Sequence, residues 1–293
     1  MTFHAVAVDD LTRRGGRALR GRVRACVALP LCATLAWPWC HRATAPEPAP
    51  ASDAVEVATA QPAKPERPAA PPSQEEAMFA QRREAMVRTQ IAARGIRSPA
   101  VLDAMRTVPR HRFVPDDLAA EAYDDTPLPI GHGQTISQPY IVALMTELVH
   151  PDRTKRALDV GTGSGYQAAI LAETVKHVDS IEIVCPLADR ARARLDALGY
   201  DNVTTRCGDG WAGWPEHAPY DVIIVAAAPL TIPPPLLEQL AVGGYLVIPI
   251  GGVNQDLILV QRHADGRLER TEITPVRFVP MTGRAREPGS GAP

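Results

Sequence analysis

Residues 157–165 read Ala157-Leu158-Asp159-Val160-Gly161-Thr162-Gly163-Ser164-Gly165, a short apolar run followed by three glycines at alternate positions. A run of this kind is the pattern of a buried strand that empties into a tight loop. The next residues, 166–174, read as a helix, so the loop presents that helix's N-terminus at the strand's end. Without Cβ atoms the loop backbone can approach a ligand closely. The order is D-x-G-x-G-x-G, not the G-x-G-x-x-G of a dinucleotide-binding dehydrogenase. Taken alone, a tight strand–helix turn explains the glycines equally well.

Toward the C-terminus the alternation continues. Residues 178–183 form a predicted second strand, followed by an Arg/Ala/Leu-rich helix closed by Gly199 and a third strand at 202–206. Residues 220–226 are nearly all apolar, as expected of a central parallel strand covered on both faces. A helix at 236–240 is expected to end at Gly243-Gly244, with a fifth strand at 245–250. Strands at 256–262 and 268–273 flank Asp265-Gly266, so the sheet is predicted to finish in an antiparallel edge. The expected fold class is α/β, a doubly wound, mostly parallel sheet.

Toward the N-terminus, Ser73-Gln74-Glu75-Glu76 reads as a capping box opening a helix with Phe79, Met86, Val87 and Ile91 on one face and Gly95 at its C′ position. Ser98-Pro99 opens a second helix whose inner face is Val101, Leu102 and Met105. Residues 108–133 carry no sustained period, and so long an irregular stretch in a small domain is usually functional. It runs into Gly131-His132-Gly133-Gln134-Thr135-Ile136-Ser137-Gln138-Pro139-Tyr140. Here Ser137, two residues before Pro139, is well placed to cap a helix at 138–149. No G-x-S-x-G elbow marks a serine nucleophile, and His132, between two glycines, reads as a loop residue rather than a general base. Trp211 and Trp214 are expected to pack locally.

Composition divides the chain at Ser73. Of the 29 prolines, eight fall between Ala45 and Pro72, a window without aromatic residues. Such a segment cannot bury enough apolar surface to offset its ordering entropy, so residues 1–72 read as a low-complexity leader and linker, and 73–293 as the folded domain. Six arginines precede Ala25, and the largely apolar run 25–37 resembles a signal-peptide core and is too short for a membrane span. Met78 is a competing initiator. Of five cysteines, only Cys185 and Cys207 lie in the domain. With no C-x-x-C and no His at ligand spacing, they are expected to be reduced thiols; neither a disulfide framework nor a zinc site is expected. The net charge of −2, with no concentrated basic face, argues against a nucleic-acid partner.

Two further features accompany the glycine loop at the same sheet edge. Glu182 stands at the tip of the second strand, where a carboxylate can accept both ribose hydroxyl protons. Gly208-Asp209-Gly210 follows the third strand, where a carboxylate can face an adenine amino group. Together they describe a nucleoside cradle.

Residues 86–282 resemble the protein-L-isoaspartate (D-aspartate) O-methyltransferase family. The resemblance rests on Met86-Val87-x-x-Gln90-Ile91, Arg94-Gly95-Ile96, Val108-Pro109-Arg110-His111, Phe113-Val114-Pro115, Ala122-Tyr123 and Asp125. It continues through Gly133 to Tyr140, the most specific stretch, and through Gly161 to Gln167, Ser180-Ile181-Glu182 and Leu198-Gly199-Tyr200. Gly208-Asp209-Gly210, Trp214-Pro215-Glu216, Gly243-Gly244 and Arg277-Phe278-Val279-Pro280 complete it.

The resemblance implies a class I fold using S-adenosyl-L-methionine, with S-adenosyl-L-homocysteine as product and no metal. It implies that Ser137 is the active-site serine, against the cap reading. It assigns Asp159, Gly161, Thr162, Gly163, Ser164, Gly165, Glu182, Asp209 and Gly210 to the cofactor, with Gly133, Gln134 and Thr135 lining the site. Val279 and Thr282 match a segment that covers the substrate, an isoaspartyl-containing protein or peptide. Two departures stand out: Asp159 where the family usually has Glu, and Ala226 where Thr or Gly is common. Two other classes fit parts of the pattern: a methyltransferase for a small carboxylic acid, and a non-enzymatic binding module that keeps the fold. A monomer in the cytoplasm is expected, with export through the leader as the alternative.

Overall fold

A computed structural model of the chain describes residues 73–286. The leader and linker reading, the signal-like run and Cys26, Cys32 and Cys40 lie outside the described residues.

Ser73 caps α1 (Gln74–Met86) by accepting the Glu76 N–H at 3.2 Å, as the S-x-x-E spacing requires. The helix widens over Val87–Ile91 and tightens over Ala92–Arg94 before Gly95, at φ 103°, ends it. Ser98 repeats the device for α2 (Pro99–Thr107), accepting the Val101 N–H at 3.5 Å. Phe79, Met86, Val87, Ile91, Val101 and Met105 are all buried, so both helices turn the expected face inward.

The stretch predicted to be irregular, 108–133, ends in the first strand and turn of a hairpin that runs on to Ile136. Strands β1 (Leu128–Gly131) and β2 (Gln134–Ile136) pair antiparallel, with Leu128 opposite Ile136. The turn needs positive φ at Gly131 (88°), His132 (54°) and Gly133 (70°). Two glycines supply that freely and His132 tolerates it, which explains the Gly-His-Gly order. Strands of four and three residues are too short to show a period. Then follows α3 (Pro139–Leu148).

The main sheet holds β3 (Arg156–Val160), β4 (His177–Glu182), β5 (Val203–Cys207), β6 (Tyr220–Val225), β7 (Leu240–Gly251), β8 (Gln255–Arg262) and β9 (Leu268–Val276), in the order β5-β4-β3-β6-β7-β8-β9. The first five in this order are parallel, and β8 and β9 add antiparallel, so the doubly wound reading and its antiparallel edge both hold. Neighbours on β6 show why its run is apolar on both faces from Val222 on. Val222 and Ile224 join the core on one face, and Ile223 and Val225 the core on the other. Helices α4 (Tyr166–Ala172) and α5 (Cys185–Ala197) follow β3 and β4. Winding reverses between β3 and β6, and the open crevice of such a sheet lies at that switch point.

Two expectations are corrected. Gly243 and Gly244 do not end a helix; α6 is only Pro234–Glu238, and both glycines lie within β7. Leu240 pairs with Tyr220 and Tyr245 with Val222, so residues 241–244 bulge. A Cβ on Gly244 would sit 2.9 Å from the carbonyl oxygens of Ala241 and Asp221, a backbone approach only glycine allows. The second correction concerns the thiols. Cys185 and Cys207 form a disulfide, with Cα atoms 4.9 Å apart. They are adjacent because β4 and β5 pair with Glu182 opposite Cys207, and α5 starts just beyond Glu182. A sequence separation of 22 hides that proximity.

Candidate functional site

At the end of β3 the chain turns through Gly161, Gly163 and Gly165 with φ of 95°, 52° and 92°. The turn is held from below and from both sides. Ile181 accepts the Gly161 N–H at 2.8 Å, Glu182 Oε2 accepts the Gly163 N–H at 2.8 Å, and Arg194 of α5 donates to the Ser164 carbonyl at 2.7 Å. Ser164 Oγ in turn accepts the Tyr166 N–H of α4 at 3.3 Å. Space is tight above the loop: a Cβ on Gly163 would meet Ile130 at 3.3 Å. The β1–β2 hairpin, carrying Gly133, Gln134 and Thr135, therefore rests on the glycine loop through Ile130.

Asp159 lies beneath this loop with no solvent exposure. Its Oδ2 accepts Ser180 Oγ at 2.7 Å, and Ser180 Oγ lies 2.6 Å from Thr162 Oγ1. Its Oδ1 is buried without a partner among the described residues. Burial raises the Asp159 carboxyl to about 7; the Ser180 hydrogen bond opposes that rise and the neighbouring Glu182 adds to it. An orphaned carboxylate oxygen below a three-glycine loop fits a site completed by a ligand with a donor to offer.

Glu182 closes the far side of the loop, its Oε1 accepting the Val184 N–H at 2.9 Å. Each of its oxygens thus holds one backbone donor and keeps one lone pair free. Asp209, beyond β5, is engaged in the same way: Oδ1 accepts Trp211 N–H at 3.0 Å and Oδ2 accepts Arg284 N–H at 2.9 Å. The second bond joins Asp209 to the C-terminal segment, where a Cβ on Gly283 would lie 2.7 Å from the same oxygen. Gly210 has a packing role, since a Cβ there would lie 2.4 Å from Val160 Cγ1. Trp211 and Trp214 are buried in the second core, as expected.

The C-terminal segment also reaches β6. Ala228 donates to Val279 O at 2.9 Å, and Met281 donates to Ala228 O at 2.8 Å, with Pro280 bridged to Ala228 between them. Val279 and Thr282 are half-buried, on a strap that runs from the end of β6 to Asp209. Ser137 follows β2 directly. The N-cap of α3 is Gln138, with no side-chain cap bond, so the expected cap at Ser137 is not formed. The half-buried Ser137 hydroxyl has no hydrogen-bond partner among the described residues.

Several residues at the site carry no motif of their own. Arg194 lies on the exposed-looking face of an Arg/Ala/Leu helix, and Arg284 lies in a tail without pattern. The Asp209–Arg284 bond spans 75 positions and has no sequence signal at all. Among the described residues no cluster of three or more His, Cys, Asp or Glu could hold a metal ion, and no helix is long and apolar enough to cross a membrane.

A glycine loop at the switch point, backed by carboxylates at the next two strand ends, defines the class I methyltransferase type of nucleoside site. The family described as Protein-L-isoaspartate(D-aspartate) O-methyltransferase (PCMT) matches residues 81–286. The chain belongs to that family. A Picosynechococcus sp. protein named Protein-L-isoaspartate O-methyltransferase is 56% identical over 203 residues, spanning 69% of this chain and 91% of its own. A Shewanella sediminis protein named Protein-L-isoaspartate O-methyltransferase 2 is 52% identical over 219 residues, 74% of this chain and 89% of its own. Among solved structures, a protein-L-isoaspartate O-methyltransferase superposes with TM-score 0.62 at 28% identity, covering 71% of this chain and 67% of its own. A Plasmodium falciparum relative in complex with S-adenosyl-L-homocysteine superposes with TM-score 0.58 at 26% identity, covering 68% of this chain and 98% of its own.

Proposed function

We propose that the chain is a repair enzyme that methylates the free carboxylate of L-isoaspartyl and D-aspartyl residues in damaged proteins, with S-adenosyl-L-methionine as donor. The observation that carries this reading is the family match across residues 81–286, which spans both the cradle and the Ser137 turn. The cofactor supplies an electrophilic methyl group. The chain's residues bind and orient. The glycine backbone of residues 161–165 lets the cofactor approach closely, Glu182 takes the ribose hydroxyls, and Asp209 takes the adenine amino group.

Ser137 holds the substrate carboxylate. A carboxylate with a pKa near 4 is already ionised at neutral pH, so the site needs no general base. What the protein supplies is alignment of the carboxylate oxygen at about 3 Å from the methyl carbon, and Ser137, with its hydroxyl unclaimed, can donate to one of its oxygens. The strap at Val279 and Thr282 covers the substrate and excludes water, which favours a step that neutralises opposite charges. The resulting methyl ester closes to a succinimide, with the methoxyl group leaving as methanol, and hydrolysis returns part of it to aspartate.

The deciding assay compares a peptide containing L-isoaspartate with its L-aspartyl twin. Methyl transfer from radiolabelled cofactor is expected to the first only; equal labelling, or labelling of small acids instead, would overturn the substrate assignment. A second expectation concerns Asp209→Ala. Loss of a charge-assisted hydrogen bond should raise the cofactor dissociation constant about 10-fold or more, read by calorimetry, and an unchanged constant would remove Asp209 from the adenine site.

In this reading the enzyme acts as a monomer. The reading places the enzyme in the cytoplasm, where S-adenosyl-L-methionine is made. One observation favours the alternative of export through the leader: a disulfide such as Cys185–Cys207 persists most readily in an oxidising compartment.

A further inference from the structure

Three serines in this domain stand three residues before a helical N–H that needs a partner. Ser73 accepts from Glu76 and Ser98 accepts from Val101. Ser137 stands one position before the N-cap Gln138, and the N–H at the same spacing from it is that of Tyr140, in the first turn of α3. That N–H is already taken: Asp125 Oδ1, fifteen positions earlier in the chain, accepts it at 3.0 Å. The other oxygen, Asp125 Oδ2, accepts the Gln138 side-chain amide at 3.3 Å and Arg94 Nη1 at 2.5 Å. Arg94 then lies over Tyr140, its guanidinium carbon 3.4 Å from the ring centre. Residues 138 and 140 are thus both gripped by one carboxylate, and the residue before them keeps its hydroxyl free.

We propose that Asp125, held by Arg94, is a positioning residue that takes over the capping of α3 so that the Ser137 hydroxyl remains available to the substrate carboxylate. This rests on the reading of Ser137 given above. An acidic group beside a carboxylate-binding serine would ordinarily repel the substrate. Here its charge is offset by Arg94 in direct contact and by the fully buried Arg110, whose guanidinium feels Asp125 as one of its favourable charges. Arg110 is anchored by its Nε bond to Ala122 O at 2.7 Å and lies over the Tyr166 ring at 4.8 Å, so it cannot swing away to water. The turn therefore presents an anion with two cations behind it. Without Asp125, the nearest side-chain acceptor for the Tyr140 N–H by the spacing seen at Ser73 and Ser98 is Ser137 itself, and the hydroxyl would turn from the substrate into the helix.

The test uses the full chain with Asp125→Ala, Asp125→Asn, Ser137→Ala and the double variant Asp125→Ala/Ser137→Ala, assayed on an isoaspartyl peptide. Asp125→Ala is expected to lower kcat at least about 10-fold with the cofactor dissociation constant unchanged within about twofold. Asp125→Asn, whose amide oxygen can still accept the Tyr140 N–H, should restore most of that loss. The double variant should be no slower than Ser137→Ala alone, since both changes remove the same hydroxyl. Stability gives an independent readout. Ser137→Ala should leave Tm unchanged in the parent chain, but lower it by about 2–4 °C when Asp125 is alanine, because Ser137 has then become the cap. If Ser137→Ala lowers kcat while Asp125→Ala does not, the positioning role is lost and the serine reading stands. If Ser137→Ala leaves kcat intact, the serine reading itself has failed. Should Asp125→Ala not fold, a Tm loss for Ser137→Ala in the parent chain overturns the proposal by showing that Ser137 was the cap.

Discussion

Ser137→Ala is expected to reduce kcat for isoaspartyl peptide by about 10²-fold, the size of loss that follows when a reacting atom is misplaced by about 1 Å. The structure makes the expectation sharp because this serine has so little else to do. Its hydroxyl forms no cap bond, and the Tyr140 N–H in the first turn of α3 is taken by Asp125 instead. A purely structural serine would reveal itself through a loss of stability. This one should show a large loss of turnover, an unchanged cofactor affinity and an unchanged Tm. Titration calorimetry with S-adenosyl-L-methionine and a thermal melt, run beside the peptide assay, separate the two patterns. Turnover within twofold of the parent chain would mean that the carboxylate is held by other groups.

The second large effect is on stability. Asp159 is fully buried, and its carboxyl is raised to about 7 chiefly by that burial. A raised carboxyl in the folded state means that the folded chain binds its proton more tightly than the unfolded chain does. Its contribution is therefore complete below the unfolded value of about 4 and is lost as pH rises through 7. Over that window the parent chain should lose up to about 4 kcal/mol relative to Asp159→Asn, because each tenfold difference in proton affinity is worth about 1.4 kcal/mol. Asparagine keeps an acceptor for Ser180 and carries no charge to bury, so its stability should stay level. Urea melts of both proteins between about pH 4.5 and 8 measure the difference. Parallel pH profiles would show that Asp159 ionises freely in the folded chain, with water or a relaxed loop supplying what its Oδ1 lacks.

Much of the sheet could be read from local pattern. Most strands of the main sheet are apolar or alternating runs with a turn residue nearby, and the helices that follow β3, β4 and β6 point to a parallel order. The cradle was legible for the same reason: Gly161 to Gly165, Glu182 and Asp209 each sit at or just past the end of a recognisable strand, so their shared edge follows from topology. The misreadings occurred where long-range pairing decides the local shape. Gly243-Gly244 looks like a helix stop until Tyr220 and Val222 are seen to pair on either side of it. Ser137 looks like a cap until Asp125, which is distant in sequence, is seen to occupy its place. The thiols of Cys185 and Cys207 look unrelated until β4 lies beside β5. In each case the residue's type fitted the local rule and a partner far along the chain cancelled it.

The last of these pairings bears on how the domain comes apart. Cys185 begins α5 and Cys207 ends β5, so the bond between them closes residues 185–207, 22 positions apart, into a ring. Proteins open in pieces, and an exposed helix such as this one, with its arginine-rich outer side, belongs among the early segments to fray. In an open chain that fraying would let the ends of β4 and β5 drift apart, and Glu182 and Asp209 with them. The ring keeps both ends in register while α5 breathes, so the gap between Glu182 and Asp209 outlasts a local opening of the helix.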